Sequence, residues 1–468
     1  MSHPPPARSG PGDEVLDVVG VGFGPSNLAL AIALAEHNLA CPTGALTARF
    51  VERQDRFGWH RGMLIEDATM QVSFLKDLVT PRNPSSPHSF LAYLHSRGRL
   101  ADFINYGSAF PTRLEFHDYL EWAAGRFGDQ VDYGAEVVGI RAVRDPDGIV
   151  RHVEVRVRRS DGSLARCLAR NVVLATGLTP YLPSGVRPGE RVWHSGELLH
   201  RLPGLTSQPR SVVVIGAGQS AAEVTNHLHR TFPNAEIHAI FTRYGYSPAD
   251  DTSFANRVFD PAAVDHFFVA PDDVKARLLE YHSNTNYSVV DPELIEELYR
   301  RHYHERVAGK ERLRFQIMSQ VTDVVQLGDR VELAVGSLID GVREVITADL
   351  VIYATGYRSG DPLALLGDSA AWQRDDAGRL RVHRDYRLAT SPDMAVGIYV
   401  QGATEHTHGL SSTLLSNIAV RTGEIVASIA AGEGQGWQAA PGVVALPTPN
   451  GSRSRGSGVG AQRPSTGA

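Results

Sequence analysis

The chain has 468 residues, 42% apolar and 21% charged, a balance that excludes wholesale disorder and fits a folded globular protein of two or three domains. A net charge of −6 excludes general nucleic-acid binding, and with no run of about 18 apolar residues no membrane-spanning helix is expected. Cys41 and Cys167 are the only cysteines and make no CxxC spacing. A disulfide framework, a structural zinc site and a dithiol redox centre are therefore not expected, and two free thiols suit a reducing cytoplasm.

The first 14 residues have no apolar stretch of a signal peptide and read as disordered. A short apolar strand over 16–19 then runs into Gly20, Gly22 and Gly24, with Pro25 and Ser26 opening a helix whose apolar face is Leu28, Ile32 and Ala35. Strand, glycine turn and helix together let backbone N–H groups approach a pyrophosphate at the helix N-terminus. The sixth position of the glycine motif is Pro25, a departure from GxGxxG. The next strand, over 48–51, ends in Glu52, whose carboxylate suits ribose hydroxyls.

A second such unit follows a strand over 212–215. Gly216, Gly218 and Ala221 fit GxGxxA, with Gln219 and Ser220 at the start of a helix predicted to run to Leu228. The next strand is predicted to end at Thr242 and Arg243; an arginine fork there matches a 2′-phosphate, which favours NADPH over NADH. Two further apolar strands close in Ala-Thr-Gly, at 171–177 and 349–357, one before the second glycine unit and one after it. The prediction is an α/β fold of two Rossmann-like dinucleotide-binding domains, FAD and NADPH, the second inserted in the first. The FAD domain takes 15–190 and 355–431, and the NADPH domain 191–354. Within the latter, 246–312 reads as a small helical substrate subdomain. From residue 432 to 468 the Gly, Pro and Ser content reads as a disordered tail.

Two dinucleotide sites imply hydride transfer from NADPH to flavin. With no cysteine pair to reduce, the acceptor is oxygen or a quinone. A flavin monooxygenase leads; an NADPH oxidase or quinone reductase, and a non-catalytic nucleotide-binding or redox-sensing protein, are the alternatives.

Longer stretches sharpen this. DVVGVGFGPSNLALA, FGWHRGMLIEDATMQVSFLKDLVTPRNPSSPHSFLAYL, FPTRLEFHDYLEWA, VIGAGQSAAEV, DDTSFANRVFDP, NTNYSVVD, YATGY and GATEHTHGLSSTLLSNIAVRTGEI closely resemble the microbial N-hydroxylating flavin monooxygenases, above all the L-ornithine N(5)-monooxygenases of siderophore and peptide natural-product pathways. Pro25 is normal in that family. The resemblance implies N-hydroxylation of the L-ornithine side-chain amine through a C4a-hydroperoxyflavin, with molecular oxygen as co-substrate and N5-hydroxyornithine as product. It also implies a homotetramer, and the two free thiols place it in the cytoplasm.

The resemblance implies FAD contacts from Glu52 through His60, including Trp59 and His60, from Gln71, near Val137 and from Thr413, Leu414 and Leu415. Trp59 and His60 offer a stacking face and a hydrogen-bond donor in their own right. Lys76 is implied to meet the substrate carboxylate; from the residues alone it could instead pair with Asp77 or reach solvent. Asn256, Asn286 and Ser416 are the implied remaining substrate contacts, with Gln71 and Asn286 supporting the chemistry. For NADPH the matched positions are Gln219, Ser220 and Arg243, with Asn286, Tyr287 and Ser288 near the nicotinamide. An alkylamine has a pKa of about 10.4 and is nucleophilic only when neutral, so neutral partners suit its binding site better than a carboxylate. Lys76 disfavours a diamine such as putrescine but does not separate ornithine from lysine, since one methylene is worth only about 1–3 kcal/mol. His406 and His408, spaced i,i+2, are too weak a pattern for a ligand set, and no metal is expected.

Overall fold

The computed structural model describes residues 14–282, 285, 288–367 and 371–432. The predicted disordered residues at the N-terminus through residue 13, the tail beyond Gly432, and the site positions Asn286 and Tyr287 lie outside the described residues.

Two parallel-cored sheets organise the chain. The first has seven strands. Val131–Tyr133, Ala48–Glu52, Val15–Val21 and Leu164–Leu174 lie side by side in parallel, and Val150–Arg159 and Ala135–Arg144 continue the sheet antiparallel. The long strand Leu164–Leu174 serves two neighbours on one edge. Its first part pairs with Val150–Arg159, and Asn171 to Leu174 pair in parallel with Gly397–Val400, the strand that brings the C-terminal part of the chain back. The second sheet is five parallel strands in the order Leu313–Gln316, Glu236–Ile240, Ser211–Ile215, Leu350–Tyr353, Val192–His194. A three-stranded antiparallel meander spans Ser319–Leu327, Arg330–Ser337 and Arg343–Ala348. No described helix is long and apolar enough to cross a membrane.

The chain passes from the first sheet to the second after Leu174 and returns after Tyr353. These two crossings pair with each other antiparallel, Leu178–Pro180 against Tyr357–Ser359. The Ala-Thr-Gly motifs sit at these crossings, and their packing explains them. Gly22 has φ +84°, and a Cβ there would lie 2.5 Å from the Ala175 carbonyl oxygen; Gly216, at φ +141°, faces the Ala354 carbonyl in the same way. Each strand end therefore presses its backbone against a glycine turn, an approach only glycine permits.

Helix Pro25–Ala40 is apolar over more than the one face predicted: every residue from Leu28 to Leu34 is buried. It lies between the first sheet and the last helix, Ile418–Ala431, which covers its other side. Helix Pro292–Ala308, predicted as part of a substrate subdomain, instead packs on Gln219–Thr231 and leads into Leu313–Gln316. It is the crossover that two parallel strands require, with Leu298 sealed into that core. Of the predicted subdomain, the remaining helices among the described residues are Ala255–Phe259, Pro261–Val269 and Asp272–Tyr281.

Candidate active site

The first glycine turn ends in Gly24, which begins helix Pro25–Ala40 in extended conformation with no side-chain cap. A Cβ on Gly24 would meet nothing within 4 Å, so the turn borders open space. Uncapped first-turn N–H groups beside open space suit an anion. Glu52 is buried at the end of its strand and accepts from the Phe23 N–H (2.6 Å) and the Gln54 N–H (2.9 Å). It braces the turn, and its two oxygens retain further lone pairs for a sugar hydroxyl. The Asn27 amide donates to the carbonyls of Gly22 (2.7 Å) and Val21 (3.2 Å), holding the turn from below.

His60 lies close to the returning crossing. Its backbone is left-handed (φ 50°), and its ring stands edge-on to Trp59 (4.8 Å) and to Tyr357 (5.7 Å). Tyr357 in turn meets His194, whose Nε2 donates to the Gly356 carbonyl (2.9 Å). Surrounding protein, and next the Arg113 charge, push the His60 pKa down to about 4, so its ring is neutral at pH 7. As a whole residue His60 is nevertheless exposed. Gln71 is exposed, and Val137 is buried on strand Ala135–Arg144.

Thr413, Leu414 and Leu415 join two short 3-10 turns, Leu410–Thr413 and Leu415–Asn417, at the head of the last helix. Around them, Thr404 Oγ1, Ser412 Oγ and both amide atoms of Asn417 are buried without a partner among the described residues. Unmade buried hydrogen bonds cost about 1–3 kcal/mol each, so such a concentration fits a site completed by a polar ligand.

At the second turn the predicted residues come together. Gly218 begins helix Gln219–Thr231, again uncapped, with Ser220 at its second position. A Cβ on Gly218 would lie 3.4 Å from Ser288 Cα, and Arg243 Nη1 donates to the Ser288 carbonyl (2.7 Å). Arg243 stands three residues past the strand end at Ile240, in a turn, rather than at the strand end predicted. Its exposure there leaves the rest of the guanidinium open to an incoming phosphate.

Lys76 is half-buried with Nζ 5.6 Å above the Phe259 ring. Asp77 is not its partner. That carboxylate accepts from the N–H groups of Val79 (3.0 Å), Thr80 (2.6 Å) and Phe90 (2.7 Å). Burial lowers the Lys76 pKa, opposed by the charge of Asp260, which itself pairs with Arg257 (3.3 Å). No carboxylate lies within ion-pair distance of Lys76 among the described residues. Asn256 shares the 3-10 turn Ala255–Phe259 with Phe259, and its amide N–H donates to the Asp251 carbonyl (2.6 Å), leaving Oδ1 to accept. This turn packs on Leu410–Thr413, the turn that leads towards Ser416. A separate pocket of about 280 Å3, lined by Arg257, His266, Phe267, Leu278 and His408, contains neither Lys76, Asn256 nor Ser416. His406 and His408 each donate Nε2 to a backbone carbonyl, of Leu380 (3.0 Å) and Arg384 (3.1 Å).

The sequence pattern of the L-lysine 6-monooxygenase/L-ornithine 5-monooxygenase family matches residues 14–359. The chain belongs to this family. It is 42% identical over 404 residues to an L-ornithine N(5)-monooxygenase of Burkholderia cepacia, covering 85% of this chain and 90% of that protein. An ornithine N-hydroxylase of Kutzneria sp. 744, described with reduced FAD, NADP+ and L-orn, superposes with a TM-score of 0.85 at 48% identity, over 89% of this chain and 99% of the other. The ornithine hydroxylase of Pseudomonas aeruginosa gives 0.84 at 40% identity, with the same coverage.

Within this family member, several site residues carry no sequence signal. Arg113 opens helix Arg113–Ala124 on the first-sheet side and forms two hydrogen bonds to Glu223 on the second (2.9 and 2.7 Å), the side chains 13% and 4% exposed. Gln219 donates to the same carboxylate (3.0 Å) and accepts from the Asp291 N–H (2.8 Å). The predicted NADPH residue is thus tied to the joint between the halves. FPTRLEFHDYLEW and GQSAAEV were legible as motifs; that an arginine in one faces a glutamate in the other depends on long-range packing.

Proposed function

We propose that this protein is an L-ornithine N5-monooxygenase that uses NADPH, FAD and molecular oxygen to make N5-hydroxyornithine. The observation that carries the reading is Lys76, a cation with no ion-pair partner among the described residues, set over Phe259 in the turn that also carries Asn256 and packs on Leu410–Thr413. The relatives' ornithine activity supports the same substrate. Bound FAD supplies the two-electron chemistry with oxygen, drawing on NADPH.

The first glycine turn, with Glu52, would hold the FAD diphosphate and ribose. Trp59, His60, Gln71 and the 413–415 turn would surround the flavin ring, with Val137 behind. Gly216, Gly218, Gln219, Ser220, Arg243 and Ser288, joined by Asn286 and Tyr287, would hold NADPH. Lys76 pairs with the substrate carboxylate and Ser416 adds a hydroxyl. Asn256 and Asn286 orient the other end by neutral hydrogen bonds. Asn256 Oδ1 accepts an amine proton without adding the negative charge that would keep the amine protonated.

We further infer that the sheets divide the chain as residues 15–190 and 355–431 for FAD and 191–354 for NADPH, supported by which strands each sheet collects. A cytoplasmic location and a role in hydroxamate siderophore or related synthesis agree with two free cysteines and with the relatives' activity. A homotetramer is proposed from the family resemblance. The test is to supply FAD, NADPH and oxygen with ornithine, lysine or putrescine and assay the hydroxylated amine. Ornithine should be hydroxylated best; NADPH consumption yielding only peroxide with all three sinks the proposal.

A further inference from the structure

Arg421 is 2% exposed, within the last helix, and has no carboxylate within 4 Å among the described residues. Its fork reaches three stretches of chain. Nη1 donates to the Ser412 carbonyl (2.7 Å), Nε to Gln401 Oε1 (3.3 Å), and Nη2 points to Ser26 Oγ (3.5 Å) on the first turn of helix Pro25–Ala40. Gln401 extends the reach, donating to the Ser26 carbonyl (3.2 Å) and Asn27 Oδ1 (3.1 Å). Asn27 holds the glycine turn itself. One guanidinium therefore fastens the Gly20 to Ser26 turn, at the start of the chain, to the Ser412 turn near its end.

Among the described residues nothing nearby neutralises the charge on this fork. Glu424, the acid whose field reaches it, spends both carboxylate oxygens on Arg384 (2.8 and 2.9 Å), which also binds Asp265 (2.7 Å). Arg421's own acceptors are all neutral. A buried cation served only by neutral acceptors is costly to the fold unless an anion completes it. Arginine stays charged under all ordinary conditions, so proton loss offers no relief. The helix N-terminus it touches already favours anions through its N–H groups and dipole.

We propose that Arg421 is a positioning residue of the FAD site, holding the glycine turn in place through Ser26 and Gln401 and supplying the positive field that the cofactor's diphosphate balances. This rests on the first glycine turn being the seat of FAD. The arginine does not touch the reacting atoms; it sets the turn that holds the cofactor's diphosphate.

The test titrates the full-length chain, freed of flavin, with FAD, and separately with NADP+. Arg421→Met should raise the FAD Kd about 10- to 100-fold, the range for a lost charge-assisted contact, and leave the NADP+ Kd unchanged. Arg421→Lys, which restores the charge without the fork, should recover most of that loss and should show a larger FAD-induced rise in melting temperature than Arg421→Met. Should Arg421→Met fail to fold, the lysine variant and Arg421→Gln make the same comparison. An FAD Kd within twofold of wild type in a folded neutral variant overturns the proposal. So does an equal loss with lysine and with the neutral residue, which would leave only packing. Wild-type protein that binds no FAD would instead refute the placement of the cofactor.

Discussion

The joint between the two halves offers the sharpest perturbation. Glu223→Gln removes one charge of the Arg113–Glu223 pair while keeping its shape. Arg113 would then keep a nearly buried guanidinium, 13% exposed, opposite a neutral amide, with the Met63 carbonyl (3.1 Å) as its other acceptor. Breaking a buried pair from one side costs about 3–5 kcal/mol, because the remaining charge stays out of water. That is a large share of the roughly 5–15 kcal/mol by which a folded protein is stable. The double variant Arg113→Met with Glu223→Leu leaves no stranded charge, and its unfolding free energy should return to within about 1–2 kcal/mol of wild type. Function should not return with it. Glu223 also holds Gln219 at the start of helix Gln219–Thr231, the proposed NADPH seat, and a displacement of about 1 Å between reacting groups costs about 100-fold in rate. Urea unfolding and anaerobic stopped-flow reduction of bound FAD by NADPH measure the two effects separately. Recovery of stability without recovery of flavin reduction is expected. A Glu223→Gln protein as stable and as fast as wild type would refute the reasoning.

Four further outcomes follow from the structure. Lys76→Met should raise the ornithine KM about 10- to 100-fold through loss of a charge-assisted contact, with the NADPH KM and the putrescine KM unmoved; an equal rise for putrescine removes Lys76 from the carboxylate. Because burial lowers the Lys76 pKa, the ornithine KM should also climb as alkaline pH neutralises this lysine, an effect absent from the methionine variant. Arg243→Ala should narrow the NADPH-over-NADH preference about tenfold by weakening NADPH alone; an unchanged ratio of kcat/KM values moves the 2′-phosphate elsewhere. His408, 1% exposed and stacked 4.1 Å from Tyr386, has its pKa pushed down to about 3, chiefly by burial. Its unfolded pKa is about 6.5, so its contribution is complete above pH 6.5 and is lost at about 1.4 kcal/mol per pH unit as pH falls towards 3. Unfolding titrations between pH 7 and pH 5 should show a shallower pH slope for His408→Gln, and an identical slope counts against this reading.

The sequence by itself determined the elements that rest on short-range rules. Both glycine turns, the strands that enter them and the helices that leave them are local patterns, since glycine, a β-rich strand and a helix start are specified by neighbouring residues. The strand after the second glycine turn pointed to Arg243, the family resemblance added Lys76, Asn256 and Ser288, and the fold brings Arg243 onto Ser288 and Lys76 over the turn that carries Asn256. Tertiary structure alone decided the rest. Asp77 looked like a partner for Lys76 because it is next in the chain, yet three backbone N–H groups claim it. Helix Pro292–Ala308 read as part of a substrate cover, yet parallel pairing of its flanking strands requires it as a crossover. Arg113 with Glu223, and Arg421 with Ser26, join residues 110 and 395 positions apart. Their charges carry no period or motif, and only closure of the chain on itself removes the water that would otherwise satisfy them.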